Sequence, residues 1–332
     1  MTALRGLMSI PTRGLPQIVA FLAILAASWL VSPQFFEIRL QDGRLFGSLV
    51  DVFNRGAPVA LLSLGMVLVI ATRGIDLSVG AVMAICGAVA ASLADSHSLA
   101  LTLGAAIGVG LLCGLWNGLL VAVLGIQPII ATLILMVAGR GIAQLITEGR
   151  IVTFTSPELA WFGGGSVLGV PTPVAITFAM LLLTLAFVRG TALGLMLEAT
   201  GGNPRSSLLA GVGTRGITIA VYVWCGFCAA LAGIISAADI LGADANNAGL
   251  WLELDAILAV VIGGTSLFGG RFSLVLAVLG ALIIQAMNTG ILLSGFPPEF
   301  NLLVKAAVVL IVLLLQSPRF AQFATLMQGG RR

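Results

Sequence analysis

The chain has 332 residues, 59% of them hydrophobic and only 9% charged, with a net charge of +3. A water-soluble fold of that length has too little interior for so much apolar surface, so lipid must be part of the solvent. Nothing points to a nucleic-acid partner or a secreted disulfide scaffold, since Cys86, Cys113, Cys225 and Cys228 all lie in apolar runs.

The predicted elements start with an apolar run from about residue 15, behind Arg5 and Arg13. A signal peptide starts the same way, but no small-residue cleavage site follows, so the run is expected to remain as a first membrane helix. Ten apolar stretches are counted, at about 15–32, 56–72, 78–94, 99–124, 127–147, 171–189, 216–238, 256–269, 272–293 and 301–317. Most approach the roughly 20 residues a helix needs to cross a hydrocarbon core. The expected fold is an all-α integral membrane protein of about ten transmembrane helices, some broken or re-entrant, because backbone amides in lipid must be paired within their own helix. With both termini cytoplasmic, the inner segments collect ten of the fifteen arginines and only Asp76 and Glu198 of the acids, as the positive-inside rule asks. A single domain at 15–318 results, with cytoplasmic tails at 1–14 and 319–332.

GIDLSVG at 74–80 is echoed by GTSLFGG at 264–270; each places Gly-x-x-Leu-x-x-Gly before an apolar helix. Gly74, Ser78, Gly80, Gly264 and Gly270 suit tight turns and close packing, and Asp76 suits the positive end of the helix that follows. Two readings stay open, a helix cap at the membrane surface or a hinge at a broken helix. His97 has no second ligand at metal spacing, so no metal site is expected. Polar side chains inside spans come next: Trp116 and Asn117, Arg140 and Gln144, then Gln285 and Asn288. Each is either an interhelical hydrogen bond or part of a polar pathway, and amides and aromatic rings suit a hydroxyl-rich cargo.

The longest inner segment, about 190–215, holds LEATGGNPRSSLLAGVGTRG at 197–216. Asn203 is placed to cap a helix whose first residue is Pro204, and Gly211 to stop it. This is either an ordinary interhelical loop or a short helix presented to a partner. WCGFC at 224–228 imitates a redox motif, but it lies mid-span without a βαβ pattern, so two small packing residues are expected. The outer segment 239–255 carries Asp244, Asn246, Asn247, Trp251 and Glu253 and is either a polar loop or a docking surface. Lys305 is the one lysine and stands in an apolar run, while the glycine-rich 263–271 lacks the lysine of a phosphate-binding loop. The chain is not expected to hydrolyse ATP.

These residues carry a resemblance. Glu198, Ala199, Gly201, Asn203, Ala210 and Gly211 are similar to the ATPase-contacting loop of ABC sugar-importer permeases of the ribose and related monosaccharide type, with Ser206 and Ser207 in place of Ala-Ala. ATRGIDLSVGAVMAICGAVAA (71–91) and LDAILAVVIGGTSLFGGR (254–271) carry it too, and the likeness runs from about residue 15 to 318. Within the family, LQDGRLFGS (40–48), TLILMVAGRGIAQLIT (132–147), ADANNAGLWLELDAILAVVIGG (243–264) and MNTGILLSGFPPE (287–299) look most like galactofuranose importer permeases.

The resemblance implies a transport subunit of the bacterial inner membrane working by alternating access, with ribose or another monosaccharide as the alternative cargo. It has no cofactor of its own: ATP and Mg belong to a cytoplasmic ATPase that grips Glu198, Ala199, Gly201, Asn203, Arg205, Ser206, Ser207 and Gly211. A second permease subunit, identical or different, and a periplasmic sugar-binding protein docking on 239–255 are implied as well. The rival is a transporter driven by an ion gradient. It needs a membrane-embedded carboxylate, whereas the acids here are expected at span ends or outside.

Overall fold

The computed structural model describes residues 14–41, 44–295, 297, 300, 302–307 and 310. Both expected tails, Gly14 apart, and much of the span expected at 301–317 lie outside the described residues. The helices are α1 (Leu15–Val31), α2 (Ser48–Ala71), α3 (Val79–Leu93), α4 (Leu99–Ala122), α5 (Pro128–Ile146), α6 (Pro157–Gly164), α7 (Thr172–Gly190), α8 (Leu193–Gly202), α9 (Pro204–Leu209), α10 (Thr214–Asp239), α11 (Leu252–Ile262) and α12 (Leu274–Leu293). Among the described residues six, α2, α4, α5, α7, α10 and α12, are long and apolar enough to cross a membrane.

Two of the expected spans are shorter than a full crossing. The stretches at 78–94 and 256–269 form helices of 15 and 11 residues. At 1.5 Å per residue these reach only about 22 and 16 Å, against a core of about 30 Å. The stretch at 56–72 begins earlier, at Ser48, and its 24 residues tolerate Pro58 inside the helix.

α10 is packed between α2, α3 and α4. Small residues make this possible: a Cβ added at Gly226 of α10 would lie 2.2 Å from the Gly110 carbonyl of α4, a backbone-to-backbone approach typical of membrane helices. Away from that seam α4 and α5 expose leucine and valine, as lipid contact requires.

One end of the bundle gathers α8, α9, the end of α2, the start of α10 and the segment 263–273. The other carries α6 and three antiparallel strand pairs: Arg39–Gln41 with Arg44–Phe46, Val152–Thr153 with Gly242–Ala243, and Ser166–Val167 with Val170–Pro171. The all-α expectation thus holds for the spans, and the strands are confined to connections, where they pair backbone that no helix serves.

The segment between α10 and α11 dips back into the bundle. A Cβ at Gly80 would lie 2.3 Å from the Gly249 carbonyl and 2.4 Å from Glu253 Oε2. The N-termini of α3 and α11 therefore meet in the interior, where two half-length helices face each other.

Candidate functional site

α8 and α9 meet at Asn203. Its backbone is extended (φ −154°), its Oδ1 accepts from the Ser206 amide at 3.1 Å, Pro204 is the first helical residue, and Gly211 stands at φ +84°. The expected cap, first residue and stop are all found. Glu198, Ala199 and Gly201, however, belong to α8, so the segment is two short helices and not a loop with one. Arg205 and Ser206 are exposed, and Leu208 and Leu209 are 62% and 89% exposed beside them. Adjacent bare leucines on a polar helix form a small exposed apolar patch.

The inner side of α8 is fixed to the bundle. A Cβ at Gly201 would lie 1.8 Å from the carbonyl of Ala71, the last residue of α2. Arg73 donates to the carbonyls of Gly201 and Gly202, which the end of α8 leaves without helical partners. The Gly270 amide donates to the same Ala71 carbonyl at 2.9 Å, and Gly269 lies against the Arg73 side chain. Both glycine motifs and α8 thus converge on the end of α2.

Past Arg73 the chain stays unwound as far as Ser78, the residue that precedes α3. Asp76 is 2% exposed and its Oδ1 accepts from Ser78 N (2.9 Å), Ser78 Oγ (2.6 Å) and Asn117 Nδ2 (3.4 Å). Asn117 Nδ2 also donates to Ser78 Oγ at 2.8 Å. Thr132 of α5 accepts from the Leu77 amide at 3.1 Å, with its hydroxyl 3.2 Å from the Ile75 carbonyl. The Tyr222 hydroxyl packs on Gly74, where a Cβ would lie 2.7 Å away. Two expectations are corrected here. Asp76 is neither at a surface nor the cap residue, and acids are not confined to span ends. Unwound backbone inside a bundle needs polar partners, and Asp76, Asn117 and Thr132 supply them. Sequence reading missed Arg73, Thr132 and Tyr222 in these roles; a threonine within an apolar span was the one faint signal.

The other candidates are redistributed. Trp116 is 53% exposed on α4 while Asn117 beside it is 1% exposed, so the two face apart. Arg140 and Gln144 do share a face, yet they clasp the 244–248 segment: Arg140 donates to the carbonyls of Ala245 and Ala248, and Gln144 Nε2 donates to Asn246 Oδ1 at 2.9 Å. Asp244 closes its own turn through the Asn246 amide (3.0 Å) and Asn247 Nδ2 (2.7 Å). The Asn247 amide, then backbone N–H groups and Arg140, hold its carboxyl below the usual range. Trp251 is 59% exposed, but Glu253 is only 8% exposed and faces Gly80, which removes it from the expected docking surface. Cys225 and Cys228 are buried free thiols.

Gln285 and Asn288 are brought together on α12. They line a cavity of about 180 Å³ with Asn54 and Arg55 of α2, Asp239 of α10 and Asp255 of α11. Lys305 pairs with Asp255 at 2.8 Å, so the lone lysine neutralises a buried carboxylate.

Residues 48–313 match the family described as branched-chain amino acid transport system / permease component. The chain is 65% identical to the galactofuranose transporter permease protein of Escherichia coli K12, over 92% of this chain and 90% of that one. It is 38% identical to the fructose import permease protein of Bifidobacterium longum (95% and 90% covered) and 39% identical to the ribose import permease protein of Escherichia coli K12 (91% and 93% covered). No solved structure matches the chain. The family's description speaks of amino acids, whereas these three relatives are named for sugars. With the match spanning most of its length and several helices able to cross a membrane, the chain belongs to this family of membrane permeases.

Proposed function

We propose that the chain is the permease subunit of an ATP-binding-cassette importer that carries a monosaccharide, galactofuranose, across the bacterial inner membrane into the cytoplasm. The observation that carries the mechanism is the two-sided build of α8 and α9. Their outer side offers Leu208, Leu209 and Arg205, and their inner side is bound by Gly201 and Arg73 to the end of α2. A cytoplasmic ATPase, holding ATP and Mg itself, would grip the outer side. Its closure would move α8, Arg73 and then the unwound 72–78 segment, with Gly74, Asp76, Ser78 and Gly80 as the hinge. The half-length α3 and α11, meeting at Gly80 and Gly249, suit alternating access around a central break. A second permease subunit completes the assembly, and a periplasmic binding protein docks near Asp244, Asn246, Asn247 and Trp251. The relative named for galactofuranose favours that sugar over ribose, whose permease is more distant.

The test is reconstitution with the neighbouring permease, ATPase and binding protein in proteoliposomes. Expected is galactofuranose uptake that requires ATP and is lost when Glu198→Ala is combined with Arg205→Ala in a correctly inserted complex. Uptake that ignores ATP and follows an imposed ion gradient overturns the reading and turns attention to the buried carboxyl of Asp76. ATP-driven uptake of ribose alone keeps the mechanism and replaces the sugar.

A further inference from the structure

We infer that the cavity between α2, α10, α11 and α12 is a resting site for one neutral sugar ring, with Asn54 and Asn288 as its specificity residues. This rests on the sugar-permease reading and adds to it a place and a set of contacts.

The wall is rich in hydrogen-bond acceptors that lack donors. Asn54 Oδ1 and Asn288 Oδ1 are both buried and, among the described residues, without a hydrogen-bond partner. Pro58 also lines the cavity and, having no N–H, gives nothing to the Asn54 carbonyl four residues back. Buried acceptors in this condition favour an occupant that brings hydroxyl donors. Gln285 and Arg55 supply donors in return, so the lining can serve both ends of a hydroxyl group.

Charge narrows the occupant further. Asp255 is already matched by Lys305, and the remaining charged lining residues, Arg55 and Asp239, are one of each sign, so the wall has no net charge. A balanced wall has no surplus to attract an ion. A branched apolar amino acid, the cargo in the family's description, carries its donors on one ammonium group at one end and so pairs one asparagine oxygen and not both. A polyol pairs both. The volume of about 180 Å³ is of the size of one monosaccharide and too small for a longer saccharide. A second cavity, of about 360 Å³, shares Ser236, Asp239 and Leu252 with this one and extends to Asp244 and Asn247. The shared wall places the second cavity between this one and the segment proposed for binding-protein docking.

The experiment is thiol protection in the full complex in proteoliposomes, without ATP. Asn288→Cys and, separately, Asn54→Cys are labelled with a small methanethiosulfonate reagent, against the unsubstituted complex as background for the four native thiols. The probes are methyl β-galactofuranoside, locked in the five-membered ring, and leucine. Expected is labelling of both variants that slows about fivefold or more with the furanoside and not with leucine. Labelling unaffected by the furanoside in both variants overturns the site, as does protection by leucine. Because no ATP is used, this outcome is independent of whether uptake is ATP-driven. Two variants on different helices guard against one failing to fold. In uptake assays Asn288→Leu is expected to raise KM for the sugar about tenfold. Uptake kinetics equal to wild type would count against the site.

Discussion

The α8–α9 end and the interior around Asp76, Gly80 and Asp255 are both polar islands in an apolar chain, but they are polar for different reasons. At α8–α9 the polar groups serve neighbours in sequence: Asn203 caps the amide of Ser206, and Ser207 bonds back to Asn203. In the interior they serve partners far along the chain, as Asn117 does for Ser78, Thr132 for Leu77 and Lys305 for Asp255. The first kind of island can be exposed and moved as a unit. The second holds separate helices together and is costly to disturb. A transporter driven from outside needs both, a light handle and a stiff interior.

The ion pair of Lys305 and Asp255 is the strongest interior contact. Lys305→Met leaves Asp255 charged and unpaired, and both side chains are largely buried (15% and 9% exposed). A loss of about 3–5 kcal/mol of stability is expected, seen as a large fall in melting temperature in detergent. Adding Asp255→Asn should restore most of it. If the single variant melts like wild type, the ion pair does not stiffen the interior. Gly201→Val attacks the joint between the islands. Its side chain meets backbone, Ala71 O and Gly270 N, which cannot step aside as a flexible side chain can. Overpacking of about 3 kcal/mol is expected, together with loss of ATP-coupled uptake. Next comes Asp76→Ala, which strips the Ser78 amide and hydroxyl of their shared acceptor and costs about 1–3 kcal/mol. Asp76→Asn keeps an acceptor of the same size and should lose less, and uptake by it should remain ATP-driven.

What could be read from the sequence follows the same division. Asn203, Pro204 and Gly211 announce a short helix because capping depends on residues a few positions apart. The spans announce themselves by length and hydropathy. Asp76 did not announce its burial. A polar heptad between two apolar runs looks like a surface turn, and only the meeting with Asn117 and Thr132 shows that it lies inside. Glu253 misled in the same way, since an acid beside Trp251 in an outer segment reads as exposed until the segment is seen to dip toward Gly80. Gln285 and Asn288 were legible as polar groups in a span. Asn54, Arg55 and Asp255 were not placed with them, because nothing local reveals which helices share a cavity.

The smallest expected effect on stability is the most informative about the handle. Asn203→Ala removes one side-chain cap at an exposed helix start and should lower stability by about 1 kcal/mol. Yet α9 has only six residues and carries Leu208 and Leu209 outward, so a frayed start misdirects the whole patch. The expected result is a melting temperature within a few degrees of wild type with ATP-driven uptake reduced about tenfold or more. Asn203→Asp keeps an oxygen for the Ser206 amide and should recover uptake. If instead uptake falls only in proportion to stability, α9 is an ordinary turn, and the motion must reach the bundle through α8 and Arg73 alone.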